Sequence, residues 1–160
     1  MSQVQPKDMS RSTEAPAELT ATNGSVLKFS PINPVKVCGA MGRHVKSQRQ
    51  DSFLQGLKRN GITDPKVIAS GLAEIESQPY TMDAMVEEMQ TYDGTRFVLH
   101  HSLQRCHPAM TMSQVEELVP DMVAALNIIM GISGISITDE EDDAENPMDA
   151  EGQTQPTGAT

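Results

Sequence analysis

Four histidines (His44, His100, His101 and His107) and two cysteines (Cys38 and Cys106) are the side chains of this sequence that could ligate a transition metal. A structural zinc site takes four such ligands, usually delivered as spaced pairs. Here Cys106 and His107 are adjacent, and neither cysteine belongs to a Cys-x-x-Cys pair. His100 and His101 point about 100° apart on a helix, which keeps them from sharing one ion. The spacing argues for histidines on surfaces and helix ends, with no metal and no other cofactor. Two cysteines so placed make no disulfide framework either.

Covalent catalysis finds no better footing. There is no Gly-x-Ser-x-Gly, and neither cysteine sits in a recognisable activating sequence. Cys38-Gly39-Ala40-Met41-Gly42-Arg43 has two glycines but lacks the spacing and the Lys-Ser/Thr of a phosphate-binding loop. Glu87, Glu88, Glu116 and Glu117 lie in helical contexts, where solvation explains them. The reading is of a protein that is not an enzyme.

Charge is more informative. From Lys28 to Arg59, seven basic residues (Lys28, Lys36, Arg43, Lys46, Arg49, Lys58, Arg59) face one acid, Asp51. The stretch Arg43-His44-Val45-Lys46-Ser47-Gln48-Arg49-Gln50 offers three positive charges and two glutamines to phosphates, to a protein partner or to solvent. It has no interleaved aromatic residue, and the net charge of the chain is −10, so nucleic acid is the less favoured partner. After Ile137 there are eight acidic residues and no basic one. With Met148 as its one large apolar residue, this segment has little to set against its chain entropy and is expected to be a disordered tail over 138–160. It would serve solubility, cover the basic segment, or recruit a basic partner. Opposite charge on the two halves also suits head-to-tail self-association.

These features need a scaffold, and the sequence sets out its elements. Residues 1–17 read as a flexible arm. Asn23-Gly24 lies between two β-favouring runs, which predicts a hairpin over 18–29 with both turn residues at positive φ. Pro34 suits the first turn of a helix in which Cys38, Met41 and Val45 share a face, with a break expected near Gly42 and a stop at Asn60-Gly61. Asp64-Pro65 starts a helix that would bury Val67, Ile68, Leu72 and Ile75. Thr81 caps the next, whose apolar side is Met82, Met85, Val86 and Met89; Asp93-Gly94 marks a turn, and Arg96 to Arg105 forms another helix. Ser113 and Glu116 are placed as a capping box for a last helix, with Pro120 predicting a kink or a restart and Gly131 and Gly134 a stop. The result is a mainly α single domain over 18–137, with a short N-terminal β-hairpin and helices from about 34 to 131. Its core must be unusual: there are eleven Met, three Phe, two Tyr and no Trp. Methionine repacks easily, which suits both irregular cores and adaptable binding faces.

This layout resembles tail assembly chaperones of long-tailed bacteriophages. The parts that carry the resemblance are the hairpin centred on Asn23-Gly24, the segment Phe29-Ser30-Pro31-Ile32-Asn33-Pro34 and the small helical domain with its acidic ending. Arg96 to Leu103, then Met110 to Leu118 continuing through Leu126 to Gly134, are similar to the final two helices of that family. The resemblance covers about residues 18 to 134 and implies a non-enzymatic role: coating the long tape-measure protein until tail tube subunits polymerise around it. The acidic ending suits the short form of a protein that also has a frameshifted long form. Pro120 and the basic 43–49 segment have no counterpart in the resemblance.

The partner-binding residues expected from the sequence are therefore Arg43, Lys46 and Arg49 on the basic segment and Met82, Met85 and Met89 on the methionine face. The expected partner is the tape-measure protein or another elongated helical client, with self-association besides. A structural tail or neck component of the virion and a nucleic-acid-binding regulator are the alternatives. The N-terminal residues lack the apolar run of a signal peptide, and Met122 to Ile137 is too short and too interrupted to span a bilayer. The expected compartment is the cytoplasm, that of the host cell if the protein is viral.

Overall fold

A computed structural model describes residues 15–135; the two expected arms lie outside them, save for the start of the first strand. The elements run β1 (Ala17–Thr20), β2 (Val26–Phe29), α1 (Pro34–Arg59), α2 (Pro65–Ser77), α3 (Met82–Met89), α4 (Tyr92–Leu103), α5 (Met112–Leu118) and α6 (Met122–Ile132). The fold is mainly helical with an N-terminal antiparallel hairpin, as the sequence implies.

In the hairpin Ala17 pairs with Phe29 and Leu19 with Leu27, so that Leu27 and Phe29 point into the core. Its turn differs from the expected one. Only Gly24 has positive φ (83°), Gly24 N–H donates to Ala21 O at 2.9 Å, and Ala21 N–H donates to Ser25 O at 2.8 Å. This is a three-residue loop, a tight turn followed by a left-handed glycine, and Asn23 instead accepts from Ser25 N–H (3.0 Å) and Ser25 Oγ–H (2.6 Å). A hairpin alone is marginal in water. Here it is tied to the helices. Thr22 donates from N to Leu118 O (2.9 Å) and from Oγ1 to Glu117 O (2.7 Å), using the free carbonyls that end α5. Just past β2, Ser30 N–H donates to Ser102 O at 3.1 Å, and buried Ser102 Oγ–H donates to Ser30 O at 2.6 Å.

Helix α4 is the axis of the core. Gly94, Thr95, Val98, Leu99, Ser102 and Leu103 are all buried on it, and it packs on α1, α3, α5, α6 and β2. Val37, Met41 and Val45 of α1 and Ala125, Leu126, Ile129 and Met130 of α6 complete the interior. The start of α4 corrects the expected turn at Asp93-Gly94: Thr91 is the cap, its Oγ1 accepting from Gly94 N–H at 3.0 Å, and the helix begins at Tyr92. Asp93 in the first turn favours this, since a carboxylate there faces the positive end of the helix dipole.

Nor does α1 break at Gly42. It runs unbroken for 26 residues, because Gly42 is where the helix meets the ring of Tyr80. A Cβ there would stand 3.0 Å from Tyr80 Cβ, Cγ and Cδ1. Burial, reinforced by nearby Glu88, pushes the Tyr80 hydroxyl up to about 12. The helix ends where expected: Gly61 (φ 66°) donates to Lys58 O at 3.2 Å, and Ile62 N–H donates to Leu57 O at 3.0 Å, the paired bonds of a Schellman stop.

The last expected helix is two. Val119 ends α5, and Asp121 caps α6 by accepting from Ala124 N–H at 2.9 Å; Pro120 between them forces the restart. The capping box is shifted from Ser113/Glu116 to Thr111/Gln114. The sequence fits both frames, but this one sets Met110 and Val115 at the positions of a hydrophobic staple and frees Glu116 to reach Arg96.

Candidate functional site

Beyond residue 49 helix α1 leaves the core, and α2 folds back along it to make a two-helix arm. No residue of α2 is fully buried, against six on α4, and α1 is the element on which α2 packs. The expected buried face is thus a seam. Ile68, Leu72 and Ile75 of α2 are half-buried, as are Phe53 and Leu57 of α1, while Val67 is 43 % exposed. Leu54 and Ile62 are 40 % exposed on the same arm. A side chain at Gly71 would overlap the Phe53 ring, so glycine there sets the closeness of the two helices.

At its root the arm is latched by polar contacts. Lys46 Nζ donates to Glu76 O at 2.7 Å, Arg49 Nη1 to Gln78 Oε1 at 3.0 Å, and Gln50 Nε2 to Glu76 Oε2 at 3.3 Å. These bonds split the basic segment read from the sequence. Lys46 and Arg49 hold the end of α2, whereas Arg43 is exposed on the outer side of α1. The methionine face is corrected more sharply. Met85 (4 % exposed) and Met89 (2 %) belong to the core, because their spacing of four turns both toward α4 and α1. Met82, at 43 %, is the exposed member of the three.

The histidines go to separate tasks. His44 Nε2 lies 3.0 Å from Asp93 Oδ2, His100 Nε2–H donates to Met110 O at 2.7 Å, and His107 Nε2 accepts from Lys28 N–H at 3.0 Å. His101 lies beyond the Phe97 ring, which stacks on His44 with centroids 4.7 Å apart; burial, helped by His100, holds it below its ordinary pKa. Buried Cys38 and exposed Cys106 are far apart in role, and among the described residues no three metal-ligating side chains gather. No helix of the described residues is long and apolar enough to cross a membrane.

The sequence reading missed the cluster around Asp93. Its carboxylate accepts from Gln48 Nε2 at 2.8 Å and from Arg96 Nη2 at 2.6 Å besides its contact with His44. Burial works against the charge, but these three bonds outweigh it and hold Asp93 below the usual carboxylate range. The signal was present as Thr91-x-x-Gly94 with Asp93 and Arg96 three apart. A lowered pKa means that the stability Asp93 contributes is full above its ordinary value of 3.8 and is lost as pH falls below it. Asp93→Asn should lower unfolding free energy at neutral pH by about 1–3 kcal/mol, since an amide offers one acceptor oxygen to three donors. Denaturant titrations at pH 7 and pH 3 check this: the gap between variant and wild type should shrink at the lower pH.

The candidate site is therefore the arm, an elongated surface of half-covered apolar side chains among charges of both signs. Compared with family models, with curated proteins and with solved structures, the chain finds no match.

Proposed function

We propose that this protein is a non-enzymatic chaperone or scaffold of bacteriophage tail assembly, acting in the host cytoplasm, and that its arm holds the tape-measure protein as an elongated helical client. The observation that supports this reading is the state of α2: thirteen residues with an apolar stripe and none of them buried. Two helices side by side form a groove into which a third amphipathic helix can lay its apolar face. A client built of long helices can engage many copies in a row, so that weak single contacts add up.

A tagged pull-down from native lysate, with protein and nucleic acid both analysed, tests the reading. One very long, helix-rich protein should be recovered in excess over all others, and the bait should be absent from purified particles. Stoichiometric bait in finished particles would favour a structural virion component instead. Nucleic acid retained through moderate salt, with no such protein, would make the basic segment the functional site. The paired change Leu54→Glu with Val67→Glu should reduce client recovery at least about tenfold, because each charge would be buried unpaired in the complex. Both positions face solvent in the free protein, so its thermal midpoint should move by no more than a few degrees.

A further inference from the structure

Helix α1 carries an outer face with three basic side chains and one acid at its edge, Asp51, none of them in an ion pair among the described residues. The ion pairs there are Lys28–Glu18, His44–Asp93, Arg96–Asp93 and Arg96–Glu116; Lys36, Arg43 and Lys58 join none of them. At 100° per residue these three basic side chains fall within a sector of about 60° on the helix, opposite the buried Val37, Met41 and Val45. All three are exposed. The stripe they form is about 33 Å long at 1.5 Å per residue.

The described chain ends beside the start of this stripe. Helix α6 stops at Ser133, whose Oγ accepts from Ile32 N–H at 2.9 Å. Ile32 is two residues before Pro34, the first residue of α1. The described chain therefore ends near the N-terminal, positive end of α1, the end that carries Lys36. Four residues beyond Ile135 the acids begin. Asp139, Glu140, Glu141, Asp142, Asp143, Glu145, Asp149 and Glu151 supply eight negative charges with no positive one between them. Thirteen extended residues from Asp139 to Glu151 reach about 43 Å, enough to follow the whole stripe.

We propose that the acidic segment Asp139–Glu151 docks in cis along the outer face of α1, on Lys36, Arg43 and Lys58. Each exposed pair is weak. The short connection from Ile135 keeps the segment at millimolar effective concentration, so contacts too weak to hold a separate peptide are populated within one chain. Screening should undo them: the Debye length falls from about 30 Å at 0.01 M salt to about 3 Å at 1 M. The stripe passes over Leu54 of the arm, so the docked segment and a client would meet there, but the docking itself needs no client and is tested without one.

The test is paramagnetic broadening in the full chain, with Cys106→Ser removing the exposed thiol and Ala144→Cys carrying a nitroxide among the acids. In ~0.01 M salt the amide signals of α1 between Arg43 and Lys58 should fall to below about half intensity, while those of α4 and α6 do not. The broadening should vanish in ~1 M salt and in the variant Lys36→Glu/Arg43→Glu/Lys58→Glu, whose folding is checked by circular dichroism. Broadening spread evenly over the surface would overturn the proposal. So would α1 broadening that appears in unlabelled isotopic copies mixed with nitroxide-bearing ones, because the occupant would then be a second copy's segment.

Discussion

Gly94→Ala should destabilise the domain by about 3 kcal/mol or more, at the upper end of what overpacking does. The added Cβ would run into the carbonyl oxygen of Glu88, which is backbone and has no rotamer to escape through. That carbonyl also accepts from Thr91 N–H at 2.9 Å and from Thr91 Oγ1–H at 2.7 Å, so moving it breaks the junction that caps α4. Because α4 is the helix that most other elements pack on, the loss should be global. Urea unfolding followed by circular dichroism reads it as a shifted midpoint with the whole transition displaced. Gly71→Ala makes the useful contrast. There the obstacle is the Phe53 ring, a side chain, and the arm can open around it while the core stays folded.

Leu103→Ala is expected to lower stability by about 2–5 kcal/mol, the range for a fully enclosed leucine. Leu103 is wholly buried at the end of α4, the helix that packs on β2 and α6. Leu72→Ala, the same chemical change on the arm, should lower it by less than about 1.5 kcal/mol, since a half-buried side chain has less to lose and its site can collapse. Paired denaturant titrations check both. Equal losses would mean that α2 is held as firmly as the core, leaving no unsatisfied face for a client.

The two glycines and the two leucines also mark what could be read from the sequence. Helix starts and stops were legible because their chemistry is local: Asp64-Pro65, Thr81 and Asn60-Gly61 act through the backbone within a few residues. Pro120 was legible for the same reason. Gly42 and Gly94 were misread as a break and a turn, because both are explained by a distant partner, Tyr80 and the Glu88 carbonyl. Periodicity located the apolar faces correctly but could not say what covers them. The Met85/Met89 face and the Val67/Leu72 face look alike as patterns, yet one is core and the other is seam. Of the basic residues singled out, Arg43 stands free of the arm, while Lys46 and Arg49 are engaged with the end of α2. That division depends on where α2 folds back, which no local signal carries.

The most direct test of the central claim is the solubility of a tape-measure protein co-expressed with this chain. The proposed function predicts that wild type keeps the client in the soluble fraction and co-elutes with it. The Leu54→Glu/Val67→Glu variant, folded and equally abundant, should leave the client in the pellet. If client and variant co-elute as they do with wild type, the arm is not the binding surface; if wild type itself fails to hold the client, the chaperone reading is contradicted.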